Sequence, residues 1–152
     1  VYKKAYALLL NYYKKKFQKI FFYEIMLSET FGLNDKRQKL INVLRNNYKK
    51  NRITRINSSN LFINLLNVDD ITEAIKLIIK KNIKPKKYVL KNNSTYKISN
   101  LINSFNKNNT KKIKVKWLSK RLIKERIFKY KKLNEWRPKQ SKMNDIFNII
   151  KG

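Results

Sequence analysis

The segment that most restricts the fold is LFINLLNVDDITEAIKLIIKK, residues 61–81, in which a short apolar run leads directly into an amphipathic helix. The run LFINLLNV is typical of a single strand. We expect Asp69 at the helix cap, where its carboxylate accepts from free backbone amides and favours the helix dipole. The apolar residues that follow at helical spacing are Ile71, Ala74, Ile75, Ile78 and Ile79. A strand that continues into a helix is the repeating unit of α/β proteins.

The rest of the chain repeats this alternation of strands and helices. Further strands are predicted in KIFFYEIML (19–27), RITRI (52–56), YVL (88–90) and IKVKW (113–117). Further helices are predicted at 2–17, 34–50, 96–107 and 141–151, with a basic helix around 120–136. We expect Asn34 or Asp35 to cap the second helix and Ser141 to cap the last. The fold class is therefore α/β, in one domain with a smaller α+β tail.

The chain carries 38 Lys and Arg against 9 Asp and Glu, a formal net charge of +29. Such a charge indicates nucleic acid or an anionic membrane when the basic residues cluster. Here they recur from end to end, and Lys, Asn and Ile make up roughly half of the chain, which is a chain-wide bias. A small basic nucleic-acid-binding protein therefore stays as the alternative hypothesis.

Cysteine and histidine are both absent, which excludes disulfides, Cys/His zinc sites and histidine-based catalytic pairs. We expect no metal site. No apolar stretch approaches the roughly 20 residues that cross a bilayer. We therefore expect no membrane span and a cytoplasmic location.

Four segments carry a resemblance through their order and spacing. They are IMLSETFGLNDKRQKLINVL, NLLNVDDITEAIKLII, YVLKNNSTYKISNLINSF and KKLNEWRPKQSKMNDIFNII. Together they resemble the C-terminal half of NAD-dependent epimerases/dehydratases, the extended short-chain dehydrogenase family that modifies nucleotide sugars. In that family an aromatic-Val-Asp-Asp ends one strand, and Leu-Gly-Trp-x-Pro precedes a terminal helix.

The resemblance implies the C-terminal part of a Rossmann-like parallel sheet plus a small α+β substrate-binding subdomain. Residues 1–33 would end the Rossmann-like part, and residues 34–152 would form mainly the subdomain. The strand and helix at 62–81 and the strand at 88–90 would partly return to the sheet. The implied cofactor is NAD or NADP, the implied substrate is a nucleotide sugar, and the implied partners are a missing N-terminal Rossmann portion and a second copy in a homodimer.

The family's opening helix carries a Tyr and, four positions later, a Lys on the same face. The phenol acts as general acid/base, and the ammonium lowers its pKa and contacts the cofactor ribose. The resemblance places Lys3 at the position of that Lys, with Lys4 as the alternative, and the Tyr before the first residue. Tyr12 and Lys16 have the same spacing, but they lie too close to the following strand to serve as this pair.

A Rossmann unit also needs a glycine-rich turn, so that backbone amides approach the pyrophosphate. The two glycines, Gly32 and Gly152, do not form one. We therefore expect that this chain does not bind a dinucleotide by itself.

The loop that begins at Ser28 is, by resemblance, the place where nicotinamide and the sugar diphosphate are touched. Ser28 is a candidate cofactor-binding residue, and Glu29, Thr30 and Lys39 are candidate substrate-binding residues. Glu29 stands where relatives often carry Asn for the diphosphate, and a carboxylate repels phosphate. Ile63 stands where many relatives place a phosphate-gripping Arg.

Other conspicuous residues have structural interpretations. Gly32 is expected to adopt a positive φ in its loop. Asp69 and Asp70 point in different directions at a helix start, so a catalytic pair is not favoured. Trp117 and Trp136 interleave with lysines in a pattern that suits base stacking, but their positions favour core packing.

Three hypotheses remain. The first is the substrate-binding portion of a nucleotide-sugar epimerase or dehydratase, acting in surface-polysaccharide precursor synthesis and inactive as an isolated chain. The second is the nucleic-acid-binding protein, and the third is an inactive truncated paralogue.

Overall fold

The structure is a computed structural model that describes residues 2–17, 19–125 and 130–152, with side chains described from residue 5 onward. The helices within these ranges are α1 (Tyr2–Lys16), α2 (Leu40–Lys49), α3 (Val68–Lys80), α4 (Ile98–Lys107) and α5 (Met143–Lys151). The strands are β1 (Glu24–Leu27), β2 (Glu29–Phe31), β3 (Ile53–Ile56), β4 (Leu61–Ile63), β5 (Leu65–Asn67), β6 (Lys87–Leu90), β7 (Tyr96–Lys97), β8 (Lys114–Trp117), β9 (Ile123–Lys124) and β10 (Lys131–Lys132). The α/β class is confirmed.

Strand pairing among these elements is mostly parallel. The strand β6 is the middle of a three-stranded sheet, with β1 on one side and β10 on the other, both parallel to it. Parallel pairs also join β2 to β5 and β3 to β8. The strand β4 pairs in parallel with β9 and antiparallel with β7.

The larger hydrophobic core lies among α2, α4, α5 and the strands beneath them. Its largest fully buried side chains are Phe31, Phe105, Ile41, Leu44, Leu65, Ile98, Leu101, Ile146 and Ile150. The predicted inward face of α4 is confirmed, because its apolar residues recur at helical spacing and all are buried: Ile98, Leu101, Ile102 and Phe105. Phe105 meets the rings of Tyr48 and Phe147 edge to face, with centroids 5.3 Å apart in both pairs.

A second core cluster joins α3 to the β1-β6-β10 sheet. Its buried residues are Leu66, Ala74, Ile78, Tyr88, Leu90, Leu133 and Trp136. The buried face of α3 is narrower than predicted, because Ile75 and Ile79 are exposed while Asp70 is buried. The helix therefore presents the i, i+4 row of residues 70, 74 and 78 to the interior.

The apolar side of α1 is exposed. Leu8 is 70% exposed, Leu9 is 50% exposed and Tyr12 is 56% exposed. The predicted helix at residues 2–17 is confirmed, but the described part of the chain does not cover its apolar stripe.

The three predicted helix caps are wrong. The helix α3 is capped by Asn67, whose Oδ1 accepts from the Asp69 amide at 3.0 Å. The helix α2 begins only after Lys39, because the carboxylate of Asp35 binds Arg37 instead of free helix amides. The helix α5 begins after Lys142, and the hydroxyl of Ser141 donates to the Asp70 carboxylate instead.

The single strand predicted in LFINLLNV is also wrong. It is divided into β4 and β5 by Asn64, whose backbone amide donates to the Glu125 carboxylate and whose side chain bonds backbone carbonyls of a neighbouring loop. The strand predicted in KIFFYEIML is confirmed only for β1, with the parallel pairing that the sequence predicts.

The basic helix predicted around residues 120–136 is contradicted by β9 and β10. Backbone groups there bond across to other strands, with Ile123 opposite Leu61 and Lys132 opposite Val89. Residues 126–129 of this segment lie outside the described residues.

Gly32 does not adopt the expected positive φ. A Cβ at this position would lie 2.5 Å from Cγ2 of Val68, so the lack of a side chain permits a close approach instead.

Among the described helices, none combines the length and apolar character that spanning a bilayer requires. Within the same residues, no group of His, Cys, Asp or Glu has the arrangement of a metal site.

Candidate functional site

The candidate site lies where β1 ends and β2 begins. The amide of Ser28 donates to the Leu90 carbonyl at 3.3 Å, which ties the loop to the end of β6. The hydroxyl oxygen of Ser28 is buried and has no hydrogen-bond partner among the described residues. A buried, unpaired hydroxyl is energetically costly, so this atom is available to a ligand or another chain.

The structure brings three of the sequence-predicted residues together. The Lys39 ammonium lies 2.8 Å from Oε1 of Glu29 and donates to Oγ1 of Thr30 at 3.1 Å. Glu29 and Thr30 are on β2, and Lys39 precedes α2. The ends of these two elements therefore converge on one polar cluster.

Arg37 belongs to the same cluster, although the sequence analysis did not identify it. Its Nη2 donates to Oγ1 of Thr30 at 3.1 Å and to Oδ2 of Asp35 at 2.6 Å. Hydrogen bonds from this guanidinium lower the pKa of Asp35 to about 2. Asp35 is therefore ionised and holds Arg37 in place at neutral pH.

Glu125 is the second residue that the sequence analysis missed. Its Oε1 accepts from the Glu29 amide at 2.8 Å, and its Oε2 accepts from the Asn64 amide at 2.6 Å. Burial raises the pKa of the Glu125 carboxyl above its ordinary value. Glu125 lies in the segment predicted as a basic helix. The sequence marks it only as one of the 9 acidic residues of the chain.

Carboxylates balance the cations of this cluster. Arg37 is paired with Asp35 and Lys39 with Glu29, and Glu125 adds a third carboxyl close by. The cluster has no excess positive charge for a diphosphate. Its hydroxyl, ammonium and guanidinium groups suit the hydroxyl groups of a sugar better.

The expected catalytic residues Lys3 and Lys4 lie in the first turns of α1, and their side chains lie outside the described residues. The Lys16 ammonium is 5.7 Å from the centroid of the Tyr12 ring, but Tyr12 and Lys16 are exposed on α1. Ile63, at the position expected for a phosphate-gripping Arg, is buried in the larger core.

A buried polar network beside the site explains several conspicuous residues. Both oxygens of the Asp70 carboxylate accept from the Gln140 amide, and Oδ2 accepts from the Ser141 hydroxyl at 2.5 Å. Trp136 donates from Nε1 to the Asp70 carbonyl at 3.0 Å, which confirms a packing position for this ring. Asp69 is exposed, so the adjacent carboxylates do point in different directions.

No protein-family model matches the chain, and no curated protein matches it. Solved structures do. UDP-glucose 4-epimerase from Thermus thermophilus in complex with NAD superposes with a TM-score of 0.75 at 13% identity, over 97% of this chain and 52% of that one. UDP-glucuronic acid 4-epimerase from Bacillus cereus in complex with NAD has a TM-score of 0.75 at 17% identity, over 95% and 49%.

A dehydratase shows the same likeness. dTDP-glucose 4,6-dehydratase from Bacillus anthracis in complex with NAD has a TM-score of 0.67 at 17% identity, over 95% of this chain and 48% of that one. The chain therefore has the fold of the C-terminal portion of the NAD-dependent epimerases and dehydratases that act on nucleotide sugars, as predicted. It spans about half the length of the solved structures that it matches.

The residues of this chain do not fit the whole of a dinucleotide. Its two glycines are Gly32, which packs against Val68, and Gly152, which is the last residue, so no glycine-rich turn can receive a pyrophosphate. The unpaired hydroxyl of Ser28 is a group that could contact a cofactor, and Oδ1 of Asn42 is a second buried oxygen without a hydrogen-bond partner among the described residues.

Proposed function

We propose that the chain is the substrate-binding portion of an NAD(P)-dependent nucleotide-sugar epimerase or dehydratase. The observation that supports this proposal best is the convergence of Glu29, Thr30 and Lys39 on a fold shared with such enzymes. Residues 1–33 then end the Rossmann-like part, and residues 34–152 form mainly the substrate-binding subdomain. We place the activity in the cytoplasm, in the synthesis of surface-polysaccharide precursors.

The proposal assigns separate tasks to the residues of this chain. Lys3, or Lys4 in its place, holds an ammonium beside the catalytic tyrosine and the cofactor ribose. Ser28 contacts the cofactor with its unpaired hydroxyl. Thr30 and Lys39 hydrogen-bond the sugar, and Glu29 competes with the sugar for the Lys39 ammonium.

The proposal also requires a second portion. NAD or NADP is held by an N-terminal Rossmann portion that carries the glycine-rich turn and the tyrosine. Two features support this requirement: the exposed apolar side of α1, and the free edge of β1, which pairs on its β6 side alone among the described strands. A homodimer of the completed enzyme is part of the same proposal.

The coding DNA upstream of Val1 tests this function. We expect it to encode a glycine-rich strand-turn-helix and a tyrosine four codons before Lys3. The protein extended by that segment should show absorbance changes of a bound nicotinamide when a nucleotide sugar is added, and Lys3→Met should abolish them while Lys50→Met does not. An upstream sequence with neither feature contradicts the proposal.

The alternatives receive less support. Basic residues are spread along the chain, and the fold is that of sugar-nucleotide enzymes, so nucleic-acid binding is not favoured. An inactive truncated paralogue would show the same fold without the nicotinamide response.

A further inference from the structure

A cavity separate from the Glu29 cluster opens at the carboxyl ends of β6 and β10. Its volume is about 180 Å³, and it shares no lining residue with the Glu29 cluster. The residues that line it are Val89, Lys91, Asn92, Asn93, Lys132, Leu133, Trp136, Arg137 and Pro138. In open parallel sheets, ligands bind outside the carboxyl ends of the strands.

The charged residues that line this cavity, among those described, are all basic. Lys91, Lys132 and Arg137 line it, and no carboxylate does. Glu135, which is close to Lys132 and Arg137 along the sequence, is paired with Lys81. Among the described residues, none of the three lining cations forms an ion pair, in contrast to the neutralised Lys39 and Arg37.

The walls of the cavity are fixed by buried side chains. Trp136 is held by its bond to the Asp70 carbonyl. The side-chain Nδ2 of Asn92 donates to the Leu65 carbonyl at 3.0 Å and to the Ser141 carbonyl. Arg137 donates from Nη1 to the carbonyls of Asn134 and Trp136, both at 2.8 Å, and its other side-chain nitrogens form no hydrogen bond with the described residues. A guanidinium fixed in this way offers directed donors to an anion at little entropic cost.

We propose that this cavity binds a phosphate group of a small anion, held by Lys91, Lys132 and Arg137. The volume is below the roughly 300–1,000 Å³ of sites that enclose whole drug-sized ligands, so the cavity suits a single tetrahedral dianion. The tetrahedral anion is either free phosphate or the phosphate of a small monoester. This site is independent of the proposed function, since it involves none of the residues assigned to the sugar or the cofactor.

Titration of the full chain with inorganic phosphate at constant ionic strength tests the site, with binding followed by calorimetry and phosphorus NMR. The titration is repeated in a Leu8→Ser/Leu9→Ser background, which we expect to lower aggregation and which lies outside the cavity lining. We expect one saturable site, weakened at least about tenfold in Lys132→Gln/Arg137→Gln by the loss of two charge-assisted donors. The matched control Lys107→Gln/Arg52→Gln, which removes the same charge from exposed residues outside the cavity lining, should stay within about twofold of the wild type.

Each outcome decides for or against the proposal. Competition by glycerol 3-phosphate for the same site indicates a monoester ligand, and saturation by inorganic phosphate alone indicates the free ion. Absence of saturable binding, or equal weakening in both double variants, overturns the proposal in favour of diffuse charge. A DNA oligonucleotide that displaces phosphate at lower concentration than either small anion also overturns it.

Discussion

The carboxylate of Asp70 accepts a hydrogen bond from the backbone amide of Gln140, which lies 70 positions later in the chain. The Gln140 nitrogen is 3.1 Å from Oδ1 and 3.0 Å from Oδ2. Oδ1 also accepts from the Lys139 amide at 2.7 Å. This one buried side chain therefore fastens the segment before α5 to the start of α3.

Replacement of Asp70 should release that segment. We expect Asp70→Ala to lower the free energy of unfolding by roughly 3–5 kcal/mol, because one buried and two partly buried donors lose their shared carboxylate acceptor. Urea denaturation measures the loss, and limited proteolysis should detect new cleavage near Gln140. Asp69→Ala is the matched control, and its cost should stay below about 1 kcal/mol. Equal losses in the two variants would refute the anchoring role.

The close approach of Gly32 to Val68 gives a second prediction. We expect Gly32→Ala to lower the free energy of unfolding by about 1–3 kcal/mol, since its Cβ would overlap the valine methyl group. In a Val68→Ala background the same change should cost much less, and a double-mutant cycle in thermal unfolding measures this coupling. Additive effects would mean that the overlap is not the cause.

Glu125 should make stability depend on pH. Burial raises the folded-state pKa of Glu125 above its ordinary value of 4.5, so the folded state holds this proton more tightly than the unfolded state. The resulting stabilisation is complete below pH 4.5 and is lost as the pH rises through the folded-state pKa. The stability of the wild type relative to Glu125→Gln should therefore fall as the pH rises from acidic to neutral.

Glu73→Gln is the control for that experiment, because Glu73 is exposed and pairs only with Lys76 among the described residues. A difference curve for Glu125→Gln that rises with pH would show that the backbone hydrogen bonds outweigh burial.

Removing Glu29 or Lys39, the ion pair of the candidate site, should change the affinity for a nucleotide sugar in opposite directions. In the protein completed by its Rossmann portion, Glu29→Gln frees Lys39 and should strengthen binding of UDP-glucose severalfold, while Lys39→Gln should weaken it by a similar factor. Calorimetric titration measures both, with Lys76→Gln as the control for the loss of a paired lysine. This prediction rests on the proposed function, and unchanged affinity in both variants would remove Lys39 and Glu29 from the sugar site.

The exposed side of α1 should control self-association. We expect the isolated 152-residue chain to aggregate at low concentration, and Leu8→Ser/Leu9→Ser to lower its sedimentation-average mass. Leu118→Ser/Leu122→Ser, at positions of similar exposure outside the helix, should change it little. A cooperative, monomeric thermal melt of the unaltered chain would contradict the expectation.

The sequence predicted those parts of the fold that depend on local periodicity. The inward face of α4 followed from spacing alone. The resemblance named Glu29, Thr30 and Lys39 as separate candidates, and their contact with one another was not predicted. Features that depend on distant partners were missed. The hydroxyl of Ser141 donates to the Asp70 carboxylate, 71 positions away, and accepts from the Asn67 amide, 74 positions away, so it does not cap α5.

The tail illustrates the same limit. Residues around Ile123 have helical periodicity, but β4 offers their backbone groups a partner, and tertiary pairing overrides a weak local preference. Glu125 lies in the candidate site because the pairing of β9 places it beside Asn64, and this pairing was not predicted from the sequence.

The parallel pairings also have a kinetic consequence. Glu24 pairs with Lys87, Ile53 with Lys114 and Leu61 with Ile123, so each ladder closes a loop of about sixty residues before it gains a contact. Such a high contact order slows folding to milliseconds or longer by the general correlation with topology. During that interval the chain exposes unpaired strand edges, which favour aggregation. We therefore expect the amount of folded protein in a cell to depend on how quickly these long loops close.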